Sequence, residues 1–142
     1  MKKILLLICI CTVLACKKGG KDDLINQSFV LRAATVSPAM MINNKAETNY
    51  MTMSGASACL NHDYTITFKK DGTYAISSKG PLCDMVANMG TQKWTKEGDK
   101  VTLTHPYGAA IVASLKDGKL IYSSSLPSGG VTYEIVYQFE AK

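Results

Sequence analysis

Histidine occurs twice in this 142-residue chain and tryptophan once. No Gly-x-Ser-x-Gly, no phosphate-binding glycine loop and no His-Glu-x-x-His is present. The usual sequence marks of acyl-transfer, phosphoryl-transfer and zinc-hydrolase sites are therefore missing, and no enzyme is expected. Charge of one sign is also scarce. Lys plus Arg number 16 against 11 Asp plus Glu, and no basic stripe accompanies the excess. That excludes the electrostatic footprint of a nucleic-acid binder. No apolar run reaches the ~20 residues that a membrane-spanning helix needs.

The longest apolar run, from Ile4 to Val13, follows Lys2-Lys3 and precedes Leu14-Ala15-Cys16. A basic start, a short apolar stretch and a small residue at the end make a bacterial secretion signal. Its end resembles a lipobox, the cleavage and lipid-attachment site of bacterial lipoproteins. That resemblance implies removal of residues 1–15 and a lipidated Cys16. It places the protein at the bacterial outer membrane, on its periplasmic or cell-surface side. A secretory signal without lipid is the alternative. Residues 16–26 read as a lipidated cysteine and flexible tether. Within it, Lys21-Asp22-Asp23 resembles the lysine–acid–acid signals of surface-exported lipoproteins; a plain charged linker accounts for it equally well.

Cleavage would remove Cys9 and Cys11 and commit Cys16 to lipid. Cys59 and Cys83 remain, an even pair in an oxidising compartment, and are expected to form a disulfide. Neither has the C-x-x-C or histidine spacing that a metal-binding pair would want.

From residue 27 to the end the chain reads as one domain with period-two patterning. Eight strands are predicted: Ser28–Ser37, Asp63–Lys69, Thr73–Ser78, Thr91–Lys96, Lys100–Thr104, Ala109–Leu115, Lys119–Ser124 and Val131–Glu140. In the first, Phe29, Leu31 and Ala33 share a face. In the last, Val131, Tyr133, Ile135, Tyr137 and Phe139 do. Three connections are short and contain glycine: Lys70-Asp71-Gly72, Glu97-Gly98-Asp99 and Lys116-Asp117-Gly118. The others, 38–62, 79–90, 105–108 and 125–130, read as longer loops. In an up-and-down meander, alternate connections lie at one end. All tight turns then fall at one end and all long loops at the other. Eight strands is also a number that closes into a small barrel. Between the second and third strands the apolar pattern selects Phe68 opposite Tyr74 and Ile66 opposite Ile76, so partner numbers sum to 142. Cys59 and Cys83 share that sum.

Phe29-Val30-Leu31, Ala34-Thr35-Val36-Ser37-Pro38, Cys59, Asp63, Phe68, Asp71-Gly72-Thr73, Cys83, Trp94, Gly98, Val101, Leu103, Leu120 and Tyr137-Gln138-Phe139 together resemble the bacterial lipocalin-like domain of secreted lipoproteins. The similarity runs from about residue 27 to the end. Gln27-Ser28-Phe29 stands where many lipocalins have Gly-x-Trp. The resemblance implies a barrel with a cavity and leaves the ligand open.

Met40, Met41, Met51, Met53, Met85 and Met89 are all the methionines after Cys16, and all lie in the two connections 38–62 and 79–90. Parity puts both at the long-loop end. Methionine suits surfaces that accept varied apolar partners, so these residues form either an apolar lid over a barrel mouth or a plug of ordinary core. Tyr64, Tyr74, Trp94, Tyr133 and Tyr137 are expected to point inward. Buried Tyr and Trp want hydrogen-bond partners, which a ligand, trapped water or neighbouring strands can supply. His62 and His105, with Asp63 and Asp84, also fall at the long-loop end; they read as solvated loop residues, since no spacing favours ligation. The expected function is a lipid-tethered monomeric barrel, without cofactor, that binds a small lipophilic ligand at its mouth. The alternative is a lipoprotein whose loops bind a macromolecular partner.

Overall fold

The computed structural model describes residues 21–53, 59–79 and 91–142. Among them nine strands form one antiparallel sheet: β1 (Ser28–Ile42), β2 (Lys45–Asn49), β3 (Thr65–Phe68), β4 (Tyr74–Ser77), β5 (Lys93–Glu97), β6 (Lys100–Thr104), β7 (Ile111–Lys116), β8 (Lys119–Ser128) and β9 (Val131–Ala141). The sheet order is β4-β3-β1-β9-β8-β7-β6-β5, with β2 paired to β1 off this path. The two ends of the path meet at a bridge between Thr73 and Lys93. There Trp94 N–H donates to the Gly72 carbonyl (2.9 Å) and Tyr74 N–H to the Gln92 carbonyl (3.1 Å). The fold is an all-β, eight-stranded, nearly closed up-and-down barrel of the lipocalin-like kind.

Partner residues of β3 and β4 sum to 142 throughout, including Phe68 with Tyr74 and Ile66 with Ile76. Turn chemistry sets this register. Asp71 Oδ1 accepts from the Thr73 amide (2.9 Å) and hydroxyl (2.6 Å), and Gly72 adopts φ +81°. The β7–β8 turn uses Asp117 and Gly118, both at positive φ. This matches the right-handed twist of the flanking strands.

Both chain ends of the barrel lie beside these turns. Lys142 N–H donates to the Ser28 carbonyl (2.9 Å) and Ala141 N–H to Gly118 (3.2 Å). This closed end holds an aromatic core. Phe29, Phe68, Phe139 and Trp94 are buried there, with Phe68 edge-on to Phe29 (5.8 Å) and to Trp94 (5.2 Å).

Five expectations need correction. The ordered domain starts before residue 27: a 3-10 turn at Lys21–Leu24 precedes β1, and Leu24 is fully buried in the core. An apolar side chain in the supposed tether had a barrel end to cover. Met40 and Met41 lie in a strand, because β1 runs to Ile42 and folds back into β2 through Asn43 and Asn44, both at positive φ. Asparagine tolerates that conformation, and an Asn-Asn pair is a turn signal. The connection at 125–130 is not a long loop. β8 and β9 pair to Ser128 and Val131, leaving the two-residue turn Gly129-Gly130. Ala33 is out of phase. The β1–β9 register shifts between Leu31 and Ala33, so Phe29 and Leu31 face inward, then Ala34 and Val36. A bulge adds one residue and inverts the alternation after it. Trp94 lies in the closed-end core and is not a mouth residue: its indole N–H donates to the Lys69 carbonyl (3.3 Å), next to the Gly72 turn.

Candidate functional site

The interior is graded along its axis. All three phenylalanines and the tryptophan of the chain are buried, and they pack from the closed end upward. Tyrosines take over toward the mouth. Tyr122 and Tyr137, partners across β8 and β9, stack at 4.7 Å. Tyr122 also stacks on Phe139 (5.8 Å), Tyr64 tilts against Phe139 (6.1 Å), and Tyr50 meets Tyr137 edge-on (6.4 Å).

Above this aromatic layer lies an interior cavity of about 110 Å³. Strand alternation assembles its walls. Cross-strand pairs Ile66–Ile76 and Leu103–Ile111 supply the apolar surface, and Tyr64, Tyr74, Tyr122, Gln92 and His105 supply the polar groups. Gln92 is 4 % exposed. Burial pushes the Tyr64 phenol far above its ordinary value of 10.0, helped by the nearby Tyr137 and Tyr74. Tyr122 is likewise raised by burial, then by Tyr64, Tyr137 and Tyr74. Tyr74 is raised by burial alone. In Tyr137 burial prevails over the opposing hydrogen bond with Ser124. These phenols are close enough that ionising one opposes ionising the next.

His105 follows β6 and continues its inward alternation after Val101 and Leu103. Its Nδ1 is buried and has no hydrogen-bond partner. The loop holds the ring sterically: a Cβ built on Gly108 would sit 2.3 Å from His105 Cε1. Any side chain at position 108 would force the imidazole to shift.

Of the residues singled out from sequence, Tyr64 and Tyr74 line the cavity. Tyr133 and Tyr137 are half-buried against the core beside it. Met53 is buried in the core, and Met40 and Met51 pack partly against it. Met41 is 66 % exposed. Met51 borders a different, outward-facing hollow with Arg32, Thr35 and Asn49. Met85, Met89, Cys83 and Asp84 fall outside the described residues, as do the signal segment and Cys16. Cys59 is buried. Its carbonyl accepts a hydrogen bond from the Ser78 hydroxyl (2.7 Å), and the Lys79 amide bonds to the His62 carbonyl (2.8 Å). His62 is thus exposed in a segment pinned to the end of β4, while His105 lines the cavity. Among the described residues no three His, Cys, Asp or Glu side chains converge, and no helix is long and apolar enough to cross a membrane.

Sequence reading missed Tyr122 and Gln92. Both were accessible. Tyr122 shares parity with buried Leu120, and reading Gly129-Gly130 as a two-residue turn pairs it with Tyr137. Gln92 shares parity with Trp94.

A wider hollow of about 480 Å³ lies on the outer wall beside β7, β8 and β9, bordered by Lys100, Val112, Ser123, Glu134 and Val136. Val112 and Val136 are exposed there. Comparison with protein-family models, with curated proteins and with solved structures returned no match.

Proposed function

We propose that this chain is a lipid-anchored barrel that binds a small, mostly apolar ligand in its mouth-end cavity, with residues 1–15 as signal and Cys16 as the lipidated N-terminus. The interior cavity carries this reading. Its walls are aliphatic and aromatic with a few convergent polar groups, the usual make-up of a small-molecule site. Its volume limits what enters fully. Drug-sized ligands need ~300 Å³ or more, so 110 Å³ holds only a ligand's head. Native mass spectrometry of the full chain purified from its own host tests the reading. A co-purifying molecule that is lost on Ile76→Trp, with the fold retained, supports it. A ligand-free chain whose cavity variants also take up no lipophilic probe overturns it. The anchor is tested separately: Cys16→Ser is expected to abolish acyl labelling and membrane fractionation.

A second reading, contact with a macromolecule through the mouth loops, draws support from Tyr107 and Met41, which are 79 % and 66 % exposed on the β6–β7 loop and the β1–β2 hairpin. Under it, Tyr107→Ser with Met41→Ser would weaken cross-linking to a partner on intact cells and leave small-molecule uptake unchanged.

A further inference from the structure

Among the described residues, no Lys, Arg, Asp or Glu borders the interior cavity. Its polar groups are three phenols, one carboxamide and one imidazole. The desolvation that raises the phenols acts also against any charge a ligand would bring, and among the described residues no fixed charge stands there to offset it. The phenols also set the direction of hydrogen bonding. A phenol is a good donor and a weak acceptor, because its lone pairs conjugate with the ring. The Gln92 amide adds two donors and one carbonyl acceptor, and the imidazole of His105, when neutral, adds one donor and one acceptor. Donors therefore outnumber strong acceptors on these walls, and the rest of the lining is aliphatic. Size narrows the ligand again: an apolar cavity of about 150 Å³ admits benzene, so 110 Å³ takes at most one small ring.

We propose that the cavity takes the head of an uncharged hydrogen-bond acceptor, a carbonyl or comparable neutral oxygen on a compact apolar ring, with the hydroxyls of Tyr64, Tyr74 and Tyr122 as its donors. This rests on the ligand-binding reading and specifies its ligand class. Carboxylates and amines of the same size are excluded by the uncompensated loss of their hydration.

Three probes of matched size separate the two ideas. The full chain, labelled at its tyrosine rings, is titrated by NMR with cyclopentanone, with methylenecyclopentane (a CH2 in place of the oxygen) and with cyclopropanecarboxylate. The ketone is expected to bind at least tenfold more tightly than the carboxylate. Replacing Tyr64, Tyr74 and Tyr122 together by Phe should weaken the ketone about fivefold and leave the alkene unchanged or tighter. Single Tyr→Phe variants serve as checks if the triple variant folds poorly. An equal response of ketone and alkene to loss of the hydroxyls overturns the acceptor assignment while leaving the ligand-binding reading intact. So does tighter binding of the carboxylate. If none of the three probes perturbs a cavity tyrosine, the ligand-binding reading itself falls.

Discussion

Gly108 and Gly118 show that glycine answers two different needs in this barrel. At Gly118 the backbone sits at φ +73° with open space where a Cβ would go. At Gly108 the demand is spatial, since the His105 ring fills the position. Gly118→Ala should lower stability by about 1 kcal/mol through backbone strain and leave the cavity unchanged. Gly108→Ala should displace the imidazole at little cost in stability, because the Cβ meets only the ring at the end of the half-exposed His105 side chain. Thermal melts and the His105 ring signals in NMR distinguish them: an unmoved His105 in Gly108→Ala would refute the steric account. The phenols give a pH prediction. Tyr64, Tyr74, Tyr122 and Tyr137 are raised above 10.0, mainly by burial. Folded chains keep these protons at a pH where unfolded chains have lost them. That contribution to stability is complete below about pH 10 and declines as pH rises above it. The melting temperature should fall steeply above pH 10, and four of the seven tyrosines should resist ionisation, by ultraviolet absorbance, until the barrel unfolds.

At the scale of elements, the segment 59–63 is stitched to the end of β4. Ser78 donates to both Cys59 and His62 carbonyls, Lys79 N–H bonds to His62, and Lys79 Nζ lies 2.7 Å from Asp63. That ion pair is exposed and adds little stability. These contacts extend the β3–β4 pairing beyond the strands themselves and hold the Cys59 segment against Ser78 and Lys79. A disulfide between Cys59 and Cys83 would close a 23-residue intervening segment, worth about 3 kcal/mol on the chain-entropy argument. Reduction, verified by thiol counting, should lower the melting temperature by several degrees; an unchanged melt would show that no structural bridge exists. Trp94 belongs to the closed-end core and should act only on stability. Trp94→Ala is expected to destabilise by about 3–5 kcal/mol, whereas Tyr122→Phe should change ligand uptake more than the melt.

For the whole molecule, the even number of ring strands returns the chain to its starting end. β1 begins, and β9 finishes, beside the Gly118 turn, opposite the Asn43-Asn44 and Gly129-Gly130 hairpins. A lipid at Cys16 would be joined to Ser28 by about eleven residues, whose fully extended reach is ~35–40 Å. The turn at Lys21–Leu24 shortens that reach. Such an anchor would hold the closed end toward the membrane and turn the mouth away from it. Spin labels at residues 28, 98 and 129 should place 28 nearer to 98 than to 129, and depth quenching on vesicles should reach 98 before 129. The opposite order would reverse the orientation.

The all-β class, eight ring strands, the β3–β4 register and the shared end of the two termini were legible from alternation and turn residues. These are local signals or follow from counting strands, and a period of two leaves one buried face per strand. Side-chain alternation likewise pointed Tyr64 and Tyr74 inward. What alternation does not carry is depth along the barrel axis or the place where a strand skips a residue. The bulge after Leu31, the burial of Leu24, the assignment of Trp94 to the closed end and the convergence of Tyr122, Gln92 and His105 on one cavity all depend on how distant strands stagger. That stagger is set by closure of the ring and by the volumes packed inside it, and only the tertiary structure decided it.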